Sequence, residues 1–133
     1  MIRIEHLGIA VSNMNESITL FEKLLNTKCY KTEGVESEGV RTAFFQVGES
    51  KIELLEATNP DSPIAKFLAK QGPGIHHIAF EVENIYEELI RLKSLDFVLI
   101  HEIPKRGADN KRIAFLHPKS TNGVLIELCQ EIK

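Results

Sequence analysis

The chain has 133 residues, of which 43% are hydrophobic and 26% are charged, a composition that fits one soluble globular domain and leaves no room for two. Its net charge of -3 provides no surplus of positive charge for phosphates, which disfavours a nucleic-acid partner. No apolar run is long enough to cross a membrane, so no membrane partner is expected. Two cysteines, and an N-terminus that opens on a charged, strand-like segment rather than a signal peptide, lead us to expect a cytoplasmic protein.

The two halves of the chain begin with the same pattern. Residues 5–11 and residues 76–82 each contain a histidine that is followed by alternating large and small side chains. Each segment leads to an asparagine, Asn13 or Asn84, which predicts the N-terminal cap of an amphipathic helix. The predicted apolar stripes consist of Ile18, Phe21, Leu24 and Leu25 in the first helix and of Ile85, Leu89, Leu92 and Leu95 in the second.

Short strand-like segments follow each predicted helix, and the last of them carries a glutamate between apolar residues. This glutamate is Glu53 in the first half and Glu127 in the second. His6 and His77 lie 71 residues apart, and the two glutamates lie 74 residues apart. One short loop insertion accounts for the difference, so the two halves are predicted to be copies of one unit.

The matched offsets predict a single α+β domain over residues 1–133, made of two tandem βαβββ units at residues 1–58 and 74–133. Residues 59–73 join the units, and their proline-rich start and Gly-Pro-Gly end predict a linker helix. Because neither unit can bury a sheet face alone, we expect a curved mixed sheet with the helices on its convex face and a cleft on the other.

Alternation along the strands turns the apolar side chains towards the helices and places four polar ones on the opposite face: His6, Glu53, His77 and Glu127. Imidazole nitrogens and carboxylate oxygens together suit a divalent metal such as Co, Zn, Mn, Ni or Mg. A single histidine or glutamate on a strand is more often packed or solvated than ligating, but its recurrence in both units favours a ligand set. We therefore predict a metal-binding cleft, with His76 on the other face in a structural role.

Further polar residues of the second half lie outside this matched pattern. A basic cluster stands in an otherwise acidic chain and comprises Lys105, Arg106, Lys111, Arg112 and Lys119. The turn-rich residues 117–123, which include Ser120, offer backbone amides and hydroxyls. Both features fit either an ordinary solvated loop or a site for an anionic ligand. Cys129 follows Glu127 on the same face and is expected to line the cleft, since no base is matched to it.

The paired units with their two histidines and two glutamates resemble the vicinal oxygen chelate (glyoxalase/bleomycin-resistance) superfamily over essentially the whole chain. Within it, residues 5–11, 61–68, 74–82, 112–119 and 123–128 resemble the methylmalonyl-CoA epimerases, with a His-Pro-Lys loop before the last strand. The resemblance implies an isomerase that interconverts (R)- and (S)-methylmalonyl-CoA by metal-dependent 1,1-proton transfer through an enolate. It also implies a homodimer, since superfamily members often dimerise, and some exchange units.

The resemblance further implies roles for individual residues. Glu127 resembles the family residue that both binds the metal and transfers a proton. Some epimerases place a second glutamate where this chain has Thr42, and a glutamine where it has Glu53. We therefore hypothesise that Glu53 supplies the second proton-transfer group. The acyl-CoA substrate is predicted to contact Lys105, Arg112, Lys119 and Ser120.

Three other functions use a similar pattern. Glyoxalase I also isomerises through an enolate, on a glutathione hemithioacetal, and the site alone does not separate it from an epimerase; the His-Pro-Lys loop and the Asp-Ser-Pro start of the linker helix favour the CoA ester. An extradiol dioxygenase would bind Fe(II) through two histidines and one glutamate, and the fourth ligand argues against it. A metal-free small-molecule binding module would have lost the ligand set that this chain keeps.

Overall fold

The computed structural model describes residues 1–133 and contains eight strands, three α-helices and two short 3-10 turns. The strands are β1 (Arg3–Ala10), β2 (Lys31–Val35), β3 (Val40–Val47), β4 (Ser50–Ala57), β5 (Gly74–Glu81), β6 (Lys105–Arg106), β7 (Lys111–Leu116) and β8 (Ile126–Glu131). The helices are α1 (Met14–Leu25), α2 (Pro63–Gln71) and α3 (Ile85–Ser94), and the 3-10 turns are Glu36–Glu38 and Pro118–Ser120. None of the helices has the length and apolar character that crossing a membrane requires.

The chain divides into two compact units, His6–His76 and Met1–Glu5 with His77–Lys133, which we call the N-terminal and the C-terminal unit. In the N-terminal unit β4 pairs in parallel with β1 and antiparallel with β3, which in turn pairs with β2. In the C-terminal unit β8 pairs in parallel with β5 and antiparallel with β7, which in turn pairs with β6. The predicted tandem βαβββ repeat, its mixed strand pairing and the α+β class are therefore confirmed.

Helix α1 begins where the sequence predicts, because the side chain of Asn13 accepts the N–H of Glu16 at 3.0 Å. One face of the helix packs on β1, β3 and β4. The cluster consists of Ile9, Val11, Met14, Ile18, Phe21, Leu25, Cys29, Ala43, Phe45, Ile52 and Leu54. The prediction that Leu24 shares this stripe is wrong, since its side chain is 70% exposed. One residue is about 100° of helix rotation, so Leu24 lies beside the buried stripe rather than within it.

Helix α2 also begins as predicted, with the hydroxyl of Ser62 accepting the N–H of Ala65 at 3.1 Å, and it ends at Gly72, whose φ is +76°. It packs in a second cluster with Ala10, Val35, Val40, Leu55, Ala57, Ile64, Phe67 and Leu68. Leu54 and Leu55 are neighbours on β4 and point to opposite faces, so α2 covers the face opposite to α1. The prediction that the helices share one face is wrong for α2, because its apolar side chains pack on the second face.

Helix α3 repeats the arrangement of α1 in the C-terminal unit. The side chain of Asn84 accepts the N–H of Glu87 at 3.2 Å. The helix packs on β5, β7 and β8 in a cluster of Phe80, Val82, Ile85, Leu89, Leu92, Phe97, Leu99, Ala114, Leu116, Ile126 and Leu128. Leu95 was predicted in the buried stripe but is exposed, because the helix ends at Ser94 and the chain turns away.

The outer edge of β7 is completed by two short segments instead of one strand. Strand β6 has only two residues. Upstream of it, residues 98–101 lie along β7: the N–H of His117 donates to the carbonyl of Val98 at 2.7 Å, and the N–H of Ile100 donates to that of Phe115 at 2.8 Å. In the N-terminal unit the corresponding edge is covered by the five-residue strand β2.

Candidate active site

The N-terminal unit contains one buried histidine–glutamate pair. His6 lies on β1 and Glu53 on the parallel strand β4, and the Nε2 of His6 is 3.2 Å from the Oε1 of Glu53. Both residues are buried. Gly8 lies opposite Glu53 in the register of the two strands and so adds no side chain next to the pair.

The C-terminal unit contains the equivalent pair at equivalent places. His77 lies on β5 and Glu127 on the parallel strand β8, and the Nε2 of His77 is 3.3 Å from the Oε1 of Glu127. Both residues are buried, and the small residue Ala79 lies opposite Glu127. Each histidine of the predicted ligand set therefore contacts the glutamate of its own unit.

Strand alternation separates each glutamate from the helix-facing core. Ile52 and Leu54, the neighbours of Glu53, pack under α1. Ile126 and Leu128 pack under α3, on the other side of β8 from Glu127. The carboxylates therefore point away from these two helices, as predicted. A buried carboxylate is stable only when charge or hydrogen bonds compensate its loss of water, and an imidazole–carboxylate pair offers that compensation and two donor atoms for a divalent cation.

A phenylalanine that was not predicted from the sequence lies opposite each glutamate on the neighbouring strand. Phe44 is opposite Glu53 in the β3–β4 register, and Phe115 is opposite Glu127 in the β7–β8 register. The ring of Phe115 meets that of His77 edge-on, with centroids 5.7 Å apart and planes at 87°. These rings place apolar surface beside the carboxylates. The signal in the sequence is a phenylalanine one strand before each glutamate, but the differing hairpin lengths conceal it.

Thr42 is the residue that the family resemblance matches with a second glutamate of some epimerases. It is completely buried and lies two residues before Phe44, so both point to the same side of β3. Its hydroxyl donates to the carbonyl of Glu33 at 3.2 Å. This side chain is therefore engaged in joining β2 to β3, and it offers no carboxylate for proton transfer.

His76 and Cys129 have no part in the pairs themselves. The ring of His76 meets that of Phe67 on α2 edge-on at 5.0 Å, and burial lowers the pKa of this histidine below its ordinary value. Cys129 is packed with Ala79 and Ile113. Burial, followed by the nearby carboxylate of Glu127, raises the pKa of this thiol far above neutrality, so it remains protonated and is a poor nucleophile.

The four residues predicted to bind substrate are spread over the outer edge of the C-terminal unit. Lys105 lies opposite Ile113 on β7, whereas Arg112 lies opposite Gln130. Because Arg112 and Ile113 are adjacent on a strand, Lys105 and Arg112 point to opposite faces. The other two residues, Lys119 and Ser120, belong to the 3-10 turn before the last strand.

The 3-10 turn is held by its own side chains. The hydroxyl of Ser120 accepts the N–H of Val98 at 3.2 Å and donates to the carbonyl of His117 at 3.0 Å. The Nδ1 of His117 accepts the N–H of Lys119 at 3.1 Å. These bonds fix the backbone of the turn, while the side chain of Lys119 is exposed and can reach a ligand in solvent.

Comparison with known proteins places this geometry in a family. Residues 5–115 match the model of the Glyoxalase/Bleomycin resistance protein/Dioxygenase superfamily. The chain is 39% identical over 127 residues to the mitochondrial methylmalonyl-CoA epimerase of Dictyostelium discoideum, covering 95% of this chain and 76% of that protein. It is 39% identical over 130 residues to the ethylmalonyl-CoA/methylmalonyl-CoA epimerase of Cereibacter sphaeroides, covering 96% of this chain and 97% of that protein.

A solved structure shows the same likeness in three dimensions. A variant of the methylmalonyl-CoA epimerase of Streptomyces coelicolor, in complex with 2-nitronate-propionyl-CoA, superposes with a TM-score of 0.95 at 34% identity, covering 98% of this chain and 95% of that one. The chain therefore belongs to the Glyoxalase/Bleomycin resistance protein/Dioxygenase superfamily and, within it, to the family of the methylmalonyl-CoA epimerases.

Proposed function

We propose that the protein is an isomerase that interconverts (R)- and (S)-methylmalonyl-CoA by 1,1-proton transfer through an enolate. The observation that carries this proposal is the pair of buried histidine–glutamate contacts, His6–Glu53 and His77–Glu127, at matching places in the two repeats. Its support from outside the chain is the set of relatives named as epimerases of methylmalonyl-CoA. No observation favours glyoxalase I over this activity.

The donor set favours a divalent cation as cofactor. Two imidazoles and two carboxylates, all buried, fit ions such as Co, Zn, Mn, Ni or Mg. We assign His6, Glu53, His77 and Glu127 as ligands of one ion. When bound, it would supply Lewis-acid stabilisation of the enolate oxygen.

The proton transfer itself needs two groups, because the α-carbon gains and loses its proton on opposite faces. Glu127 is assigned as one group and Glu53 as the other. Each carboxylate is held by a histidine of its own unit, at 3.3 Å and 3.2 Å respectively, and each stands beside a phenylalanine. The buried Thr42 cannot take over this role, since its hydroxyl is bound to a main-chain carbonyl.

The CoA part of the substrate requires positive charge outside the reaction site. Lys105, Arg112, Lys119 and Ser120 are assigned to this part. The ammonium groups and the guanidinium suit phosphate oxygens, and the hydrogen bonds of the Ser120 hydroxyl hold the turn from which Lys119 extends. A homodimer in the cytoplasm is the setting that we propose.

The test is NMR in deuterated water with the metal-loaded protein. Deuterium should appear at C2 of methylmalonyl-CoA, and the methylglyoxal–glutathione adduct, offered separately, should remain unchanged. Turnover of the glutathione adduct without exchange at C2 would identify a glyoxalase instead. Exchange with neither substrate, in protein shown to hold a stoichiometric divalent ion, would refute both activities.

A further inference from the structure

His101 replaces a main-chain carbonyl at the outer edge of β7. Residues 98–101 lie along this strand, where the N–H of Ile100 donates to the carbonyl of Phe115 at 2.8 Å. The return bond of an antiparallel ladder would run from the N–H of Phe115 to a carbonyl. Here it runs to the Nδ1 of the His101 imidazole at 3.2 Å. The side chain therefore completes the hydrogen bonding of the strand at Phe115.

Phe115 links this imidazole to the histidine–glutamate pair of the C-terminal unit. Its ring is tilted against that of His101, with centroids 5.8 Å apart and planes at 56°. The same ring meets that of His77 edge-on, with centroids 5.7 Å apart. Its main chain is paired in register with Glu127. One residue thus touches His101 and stands beside both members of the pair.

We propose that His101 is a positioning residue for the His77–Glu127 pair. It holds the backbone of Phe115 by a hydrogen bond and its ring by contact, and the Phe115 ring in turn fixes the orientation of the His77 imidazole. The inference rests on the proposed function in one respect only, that the pair binds a divalent cation. Partners that orient a ligating histidine contribute to metal affinity, and their loss commonly weakens it about 10- to 100-fold.

The N-terminal unit shows which part of this arrangement is special to His101. There Phe44 is opposite Glu53, and Lys31 is opposite Phe44 with its Nζ 5.7 Å from the ring centroid. Lys31 belongs to β2, whose main chain pairs with β3 in the usual way. A side chain over the phenylalanine is therefore common to both units, whereas in the C-terminal unit that side chain also accepts the main-chain N–H of the phenylalanine.

Two substitutions distinguish the hydrogen bond of His101 to the main chain of Phe115 from the packing of its side chain against the Phe115 ring. His101→Leu removes the Nδ1 acceptor and keeps apolar volume over Phe115. His101→Asn keeps an acceptor, because its amide oxygen stands near the place of Nδ1. Leu89→Val removes a methylene group from the core under α3, away from the pair. It is the control for a loss of stability without a change at His101. Each protein is titrated with Co2+, and the imidazole signals of His77 are followed by NMR in the metal-free protein.

We expect His101→Leu to weaken Co2+ binding about tenfold, to alter the visible spectrum of bound Co2+, and to shift the His77 ring signals. His101→Asn should restore all three towards wild type, and Leu89→Val should change none of them. If His101→Leu keeps wild-type His77 signals and Co2+ affinity, the positioning role is wrong, whatever happens to the melting temperature. The NMR readout needs neither metal nor turnover, so failure of the proposed epimerase activity is distinguishable from failure of this inference.

Discussion

The side chain of Glu56 accepts a hydrogen bond from the backbone N–H of Met14, the first residue of α1, at 2.7 Å. The second unit has the equivalent bond from the N–H of Ile85 to the side chain of Gln130, at 2.8 Å. Each acceptor stands three residues beyond the glutamate of its histidine–glutamate pair. The strands that carry the paired carboxylates therefore also fix the start of the helices behind them.

The hydrogen bond to Glu56 predicts that two substitutions of this residue lower the free energy of unfolding by different amounts. Glu56→Ala removes the acceptor and should lower the free energy of unfolding by about 1–3 kcal/mol, since a partly buried N–H loses its charged partner. Glu56→Gln keeps an acceptor but loses the negative charge near the helix N-terminus, and should cost only about 0.3–1 kcal/mol. Urea denaturation measures both. Equal losses in the two variants would show that the hydrogen bond itself contributes nothing.

The sequence predicts the parts of this fold that depend on local chemistry and strand alternation. The three helix starts at Asn13, Ser62 and Asn84 follow from capping residues, and the burial of Ile52 and Leu54 follows from alternation. The side of the sheet that α2 covers could not be predicted in this way. An apolar stripe indicates that one side of a helix is buried, but it does not indicate which face of the sheet the helix packs on. The contact of His101 with the edge of β7 cannot be predicted from the sequence either, since it depends on the path of the irregular segment before β7 and no sequence pattern specifies that path.

Glu53→Gln should abolish exchange of the α-proton of methylmalonyl-CoA while the divalent metal content is maintained. A glutamine oxygen can still ligate a cation, but it cannot carry a proton, and such a group commonly contributes about 100- to 10,000-fold to the rate. Exchange at C2 in deuterated water and metal analysis of the same sample are the measurements. Thr42→Val is the matched control, and it should keep the exchange rate. An active Glu53→Gln protein would remove Glu53 from the mechanism.

Removal of the metal should abolish activity, and the stoichiometry should be one ion for each chain. Because the two pairs are assigned to one ion, His6→Ala and His77→Ala should each lose the whole ion. Chelation by EDTA followed by dialysis, and reconstitution with Co2+, are read by metal analysis and by the exchange assay. An ion at about 100 times its dissociation constant should also stabilise the fold by about 2.7 kcal/mol. Two ions in wild type, and one in each variant, would instead mean that each pair binds separately.

Charge reversal at the outer edge of the C-terminal unit should weaken binding of the CoA ester. Lys119 is exposed beside the turn at Ser120. Lys119→Glu should raise KM about tenfold and leave kcat nearly unchanged, since the proposed contact is with the phosphates and not with the reacting carbon. Arg112→Glu is expected to act in the same direction. Lys23→Glu, an exposed change on α1, is the control. If Lys119→Glu and Arg112→Glu have the same KM as the Lys23→Glu control, the assignment of the basic cluster to CoA is wrong.

The contact between Lys93 and Glu102 predicts a small dependence of stability on acid pH. The side-chain hydrogen bond from Lys93 at 2.5 Å, together with its charge, lowers the pKa of the Glu102 carboxyl below its usual value of 4.5. The folded state therefore binds fewer protons than the unfolded state as the pH falls. The stabilisation is fully present above pH 4.5 and is lost as the pH falls through the lower pKa of the folded protein.

An NMR titration of the Glu102 carboxyl carbon should show the lowered pKa in wild type and in Lys93→Arg, which keeps the positive charge. The pKa should return towards its usual value in Lys93→Gln. Both side chains are exposed to solvent, so about 1 M salt should reduce the shift strongly, because the screening length there is about 3 Å. A lowered pKa that persists in Lys93→Gln would mean that Lys93 is not its cause.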